Sequence, residues 1–145
     1  MKRRLAVLIL SIVMLLSFSS STFALIGVCE ETAPCQLAAN PGASNQATVY
    51  GQLDEDWYYY TNNTILPRYV HITLMDQNVN NLLFAYRINN NPQIQVTSLP
   101  NSIQKYKYNI LLPSGSTIYL RIKNVSLQYS QPYKISLIST FERVM

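Results

Sequence analysis

Residues 111–122 read LLPSGSTIYLRI and residues 51–60 read GQLDEDWYYY; the first of these stretches decides the fold. Ile118, Leu120 and Ile122 alternate with Tyr119, Arg121 and Lys123 directly behind the turn formed by Pro113 to Gly115. An apolar residue at every second position marks a strand with one buried face. The same period runs outward in both directions. Upstream lie Val49, Gly51 and Leu53, then Tyr58 and Tyr60, then Val70, Ile72 and Leu74, then Leu82, Phe84, Tyr86 and Ile88. A short segment with Ile94 and Val96 leads to Tyr106, Tyr108, Ile110 and Leu112, and Tyr133, Ile135 and Leu137 close the chain. Turn signals separate the runs: Asn62 with Asn63, residues 76–81, residues 89–92, Pro100 with Asn101, and Gln131 with Pro132. No stretch repeats every three to four residues. The pattern predicts an all-β, antiparallel two-sheet sandwich of about seven or eight strands, jelly-roll-like, over residues 47–145. Residues 25–46, rich in Ala, Pro, Gly, Ser and Asn, read as an irregular lead-in packed along it.

The N-terminus supplies an expected compartment. Lys2, Arg3 and Arg4 precede an apolar run from Leu5 to Leu16, and Thr22, Phe23 and Ala24 end the polar stretch that follows. A basic start, an apolar run too short to span a bilayer comfortably and small residues before a cut predict a signal peptide over residues 1–24. The protein is then secreted and extracellular. An uncleaved membrane anchor is the rival, and the short run argues against it. Val28 before Cys29 is a poor lipoprotein signal. Three of the eleven Lys and Arg leave with the leader and none of the seven acids do, so the net charge falls from +4 to +1. The basic isoelectric point therefore gives no support to a nucleic-acid partner. The residues that remain suffice for one domain and one core.

Cys29 and Cys35 lie six positions apart. Outside the cell such a pair most simply forms one local disulfide. Its loop is short, so the entropic stabilisation is on the order of 2 kcal/mol. Metal binding by two cysteines without a neighbouring histidine is a poorer reading, and the spacing excludes a CxxC redox pair.

Residue by residue, the chain resembles a bacterial pre-peptidase C-terminal domain, a secreted β-sandwich module usually attached to an enzyme. Glu30, Glu31 and Pro34 fit that family's acidic lead-in, and Gly51 and Leu53 its Gly-x-Leu strand. Asp54, Asp56, Trp57 and Tyr58 fit the acidic pair followed by aromatics. Leu112, Pro113, Gly115, Tyr119 and Arg121 fit its late turn and strand, with one or two extra residues after the glycine, and Tyr133 and Leu137 its last strand. The resemblance implies a metal site. Relatives in collagen-degrading enzymes hold calcium between lead-in acids and the acidic pair, which here names Glu31, Asp54 and Asp56. Residues i and i+2 of a strand stand about 6.5 Å apart on one face, so two carboxylates can share a hard cation. The other reading is a solvated acidic turn without metal, and the sparse acids of the lead-in favour it; no cofactor is then required.

Eleven tyrosines in a small chain are the other candidate. With Tyr58 and Tyr60 facing in, Trp57 and Tyr59 face out, as do Tyr119 and Arg121. Exposed aromatic and arginine side chains are favoured at binding surfaces, so Trp57, Tyr59, Tyr119 and Arg121 form the predicted ligand strip. Cross-strand packing that merely covers a sheet is the alternative. Catalysis finds no such constellation. His71, the single histidine, should point outward from its strand with no nucleophile beside it. Two carboxylates facing across a cleft are improbable with seven acids, three of them adjacent. The sequons at Asn62 and Asn124 matter only in a source that glycosylates, which a bacterial family argues against. Two function classes stand: a secreted non-catalytic module that binds an extracellular protein or polysaccharide, and a structural or accessory secreted protein with no ligand site of its own.

Overall fold

A computed structural model of the 145-residue chain describes residues 29–40, 43–52, 54–99, 102–126 and 130–144. The leader with its cut after Ala24, Leu53, and the turn at Pro100 and Asn101 lie outside the described residues.

Nine strands build two facing sheets: β1 (Cys35–Gln36), β2 (Asn45–Tyr50), β3 (Glu55–Thr61), β4 (Arg68–Met75), β5 (Leu82–Ile88), β6 (Ile94–Val96), β7 (Gln104–Leu112), β8 (Thr117–Asn124) and β9 (Ser130–Thr140). One sheet has the order β1-β3-β8-β5-β6 and the other β2-β9-β4-β7. Every pairing is antiparallel except that of β1 with β3. A single 3-10 turn, Val79–Asn81, is the helical content of the described residues. None of their helices is long and apolar enough to cross a membrane. The fold is thus the all-β sandwich expected from the period-two pattern.

The core lies where that pattern puts it. Val70, Ile72 and Leu74 of β4 are fully buried, as are Ile118, Leu120 and Ile122 of β8, Leu82 and Phe84 of β5, and Ile135 of β9. β-branched and aromatic side chains on pleated strands interdigitate between the sheets, and Gly115, at φ +70°, makes the tight turn from β7 into β8.

Three expectations are corrected. The lead-in is not wholly irregular: Cys35 and Gln36 pair with Tyr58 and Tyr59, and the Leu37 amide donates to the Tyr59 carbonyl at 2.8 Å. The open edge of β3 offers backbone groups that this segment satisfies. Gln131 and Pro132 do not form a turn but lie inside β9. Proline is tolerated there because that end of β9 has only β2 beside it.

The third correction concerns β7. Ile110 and Leu112 face the core, but Tyr106 does not share their side and Tyr108 is 48% exposed. Between Val70 and Ile72 the register with β7 shifts, and Asn109 adopts φ +57°. This is a β-bulge; one extra residue swaps the faces of everything before it. Lys105 takes the inward place instead, buried, its amine donating to the Leu82 carbonyl.

Candidate functional site

The outer face of the five-stranded sheet carries the predicted strip, and strand register sets its neighbours. Trp57 stands opposite Arg121 and Tyr59 opposite Tyr119, while Arg87 of β5 flanks Tyr119 from the other side. The Tyr59 and Tyr119 rings lie 6.5 Å apart, tilted by 36°. Both are half-buried.

Trp57 departs from expectation. It faces away from the core yet is only 2% exposed. Its neighbours on that face cover it: Glu55 accepts from the indole, and the guanidiniums of Arg87 and Arg121 lie against the ring. The lead-in meets Trp57 along the backbone, where the Trp57 amide donates to the Cys29 carbonyl at 2.5 Å, while the Cys29–Cys35 disulfide, with 5.0 Å between the two Cα atoms, packs toward the core. The Arg87 guanidinium sits 5.0 Å from the Trp57 ring and 5.1 Å from the Tyr119 ring, with Arg121 at 5.7 Å from Trp57. The indole is thus the floor of the strip, attracting two cations by its ring face.

Each arginine has an acidic partner. Arg121 Nε and Nη2 donate to Glu55 Oε2 at 3.0 and 2.5 Å, and Lys123 approaches the same oxygen at 3.9 Å. Trp57 Nε1 donates to the other oxygen of Glu55 at 2.9 Å. Burial alone would raise the Glu55 pKa, but the bonds from Trp57 and Arg121 and the charges of Arg121 and Lys123 hold it below the usual carboxylate range. Arg87 pairs with Glu31 at 3.3 Å. The surface is therefore a set of oriented rings and guanidiniums with little net charge. It can offer apolar contact and hydrogen bonds to a ligand at low cost in side-chain entropy.

Sequence reasoning missed Glu55, Arg87 and Glu31 as members of this face. Alternation on β5 turns Arg87 outward, but only the strand order reveals that β8 lies between β5 and β3.

The acidic pair behaves differently. Asp56 lies on the inward side of β3, opposite Ile122, and the charge of Asp54 reaches it, but Glu31 is not with them, since its carboxylate is turned to Arg87. Glu30 is the lead-in acid whose charge reaches Asp56. Asp54 Oδ2 accepts from the Tyr50 amide at 2.6 Å, and Asp56 accepts from the Tyr133 hydroxyl, which is itself 2.8 Å from the Tyr58 hydroxyl. Burial pushes the Asp56 pKa up to about 6 against the pull of the Tyr133 bond, and Asp54 and Glu30 add to the rise. Tyr58 is pushed up to about 12 by burial. Among the described residues no three His, Cys, Asp or Glu side chains are grouped to hold a metal ion. The donor set named for calcium therefore does not fit as arranged: one acid is drawn away and the other two are engaged by the chain.

His71 points outward from β4 as alternation implies, yet it is 4% exposed. The bulge covers it: the Asn109 amide donates to Nδ1 at 3.1 Å, and Nε2 lies 3.1 Å from Thr140 Oγ1, whose own proton goes to the Glu142 carbonyl. The ring is thus the neutral Nε2–H tautomer, and burial lowers its pKa. Its partners are structural.

Both sequons turn out to be internal. Asn62 and Asn124 are fully buried. Asn62 Oδ1 accepts from Thr64 N and Oγ1, and Asn124 Oδ1 accepts from Ser126 N and Oγ. The Asn-x-Ser/Thr spacing is that of a side chain closing a turn on its own backbone.

No model of a protein family matches the sequence, and no curated protein matches it. Among solved structures, the chain is similar to the pre-peptidase C-terminal domain of a collagenase from Bacillus anthracis, a 1.0 Å crystal structure. The match covers 71% of this chain and 92% of that domain, with a TM-score of 0.57 and 10% identity. The protein therefore has a fold like that of a pre-peptidase C-terminal domain.

Proposed function

We propose that the protein is a secreted, non-catalytic module that binds an extracellular polymer, protein or glycan, through the outer face of the five-stranded sheet. The observation that carries this reading is the pairing of Tyr59 with Tyr119 beside Arg87 and Arg121, whose guanidiniums lie over the buried Trp57 and are each steadied by a carboxylate. Such a face is built before any ligand arrives, so binding orders few side chains. A fold like that of a pre-peptidase C-terminal domain is compatible with this role and requires no chemistry of the chain itself. Calcium is not needed for it.

Pull-down of the exported protein on collagen, cellulose, chitin and peptidoglycan, with and without calcium, tests the proposal. Retention on one of these solids, weakened by changes at Tyr59 and Tyr119, supports it. Passage through all four favours the second class, a structural or accessory secreted protein.

A further inference from the structure

The end of the sandwich where β3 turns into β4, β7 turns into β8 and the chain finishes has an apolar surface that the proposed site does not use. Ile65 is 91% exposed, Leu66 54% and Phe141 57%. The turn that displays the two aliphatic residues is firmly built. Asn62 Nδ2 donates to the carbonyls of Leu66, Leu112 and Pro113 at 3.0 to 3.2 Å, while its Oδ1 takes both donors of Thr64. Ser114 Oγ donates to the Thr64 carbonyl at 2.6 Å, and the Gly115 amide to the Asn62 carbonyl at 2.9 Å. Ile65 and Leu66 are therefore held in water by a buried support and cannot fold back onto the core. Apolar groups fixed in this way mark a surface meant to be covered.

Charge identifies what covers it. The Arg68 guanidinium lies 3.6 Å over the Phe141 ring, and that of Arg143 lies 5.4 Å from the Tyr69 ring. Glu142 is the single acid among the turn and tail residues at this end. Glu30, Asp54, Asp56 and Asp76 all lie toward the opposite end, where β3 begins and β4 finishes. Lys105, Lys123 and Lys134 share that opposite end with the acids, whereas at this end Arg68 and Arg143 stand beside the exposed aliphatic residues with Glu142 as their one acidic neighbour.

We propose that this tip docks the protein on an anionic lipid surface. Ile65 and Leu66 enter the boundary between headgroups and acyl chains, and Arg68 and Arg143 lie at the level of the phosphates. A turn with aliphatic residues leading and ring-supported cations behind has the depth order of an interfacial anchor, with Phe141 and Tyr69 at the belt where aromatic rings settle. The proposal is independent of the aromatic face of the five-stranded sheet.

The test uses Leu66→Trp in the full chain, with vesicles bearing brominated acyl chains, made of phosphatidylcholine alone or mixed equally with phosphatidylglycerol. The added tryptophan should be quenched and blue-shifted beyond the background of buried Trp57, and only on the anionic vesicles. Arg68→Gln and Arg143→Gln should each weaken the apparent affinity about fivefold, and Ile65→Ser should weaken it without altering the melting temperature. An unquenched residue 66 overturns the proposal, even where the apolar N-terminal segment carries the chain to the vesicle. So does equal quenching on neutral and anionic vesicles, and so does a lipid-free dimer that Ile65→Ser dissociates, which would give the tip to a second copy.

Discussion

The outer faces of the two sheets use similar side chains to opposite ends. On the five-stranded sheet, Trp57, Tyr59, Tyr119, Arg87 and Arg121 are tied by ring contacts and ion pairs into one surface. On the four-stranded sheet, Tyr106 and Tyr108 stack on each other at 4.9 Å beside a histidine consumed by the bulge and the C-terminal residues. Aromatic content alone therefore says little. What distinguishes the two is whether ion pairs hold the guanidiniums over the rings, as Glu31 and Glu55 do for Arg87 and Arg121.

The largest expected difference is between Trp57 and Tyr108. Trp57→Ala removes a buried ring and the floor of the strip, and should lower stability by about 3 to 5 kcal/mol. Tyr108→Ala, on a half-exposed ring of the other face, should change it by less than about 0.5 kcal/mol. Chemical denaturation of both variants measures the contrast, and equal effects would erase it.

A smaller effect tests the ion pairs. Glu55→Gln should lower stability by about 1 kcal/mol, since it strips Arg121 and Lys123 of a shared, partly buried partner. The Glu55 pKa is lowered on folding, so its contribution is present above the unfolded value of 4.5 and is lost as pH falls below it. Acid titration of the variant should lack that loss.

Two buried groups give opposite pH signs on the inner and outer sides of the sandwich. Asp56, raised to about 6 from 3.8, favours the folded state when protonated, so its contribution is full below 3.8 and lost as pH rises through 6. His71, lowered from 6.5, favours the folded state when neutral, so its contribution weakens as pH falls below 6.5. Asp56→Asn should flatten the first dependence and leave the second. As the single histidine, His71 gives one imidazole signal by NMR, and that signal should report the Nε2–H tautomer.

The smallest expected effect is that of calcium. With Glu31 on Arg87 and the other two acids engaged by Tyr50 and Tyr133, millimolar calcium should leave the melting temperature unchanged. A rise abolished by Asp56→Asn would show that the acids rearrange around an ion.

Most of the sandwich could be read from alternation, because Ile72, Leu120 and Ile135 each repeat a pattern that has one physical solution. The reading failed at β7, where a bulge of one residue reversed the faces, and a period-two pattern carries no mark of such an insertion. It failed again at Trp57 and His71. Both do lie on the outer sides of their strands, but alternation reports direction and not what lies above: two guanidiniums in one case, a bulge in the other. The strip itself was half visible. Tyr59, Tyr119 and Arg121 follow from alternation on two strands, whereas Arg87, Glu31 and Glu55 needed the strand order, which long-range pairing sets.

The most direct test of the ligand face is the double variant Tyr59→Ser/Tyr119→Ser in the same pull-down, with stability measured beside it. Both rings lie half-buried on the outer side of the sheet, so stability should stay nearly intact while retention on the bound polymer falls by about thirtyfold or more, the effect of truncating an aromatic hot spot. Unchanged retention, or a loss of several kcal/mol in stability, would contradict the account and leave the tyrosines as packing.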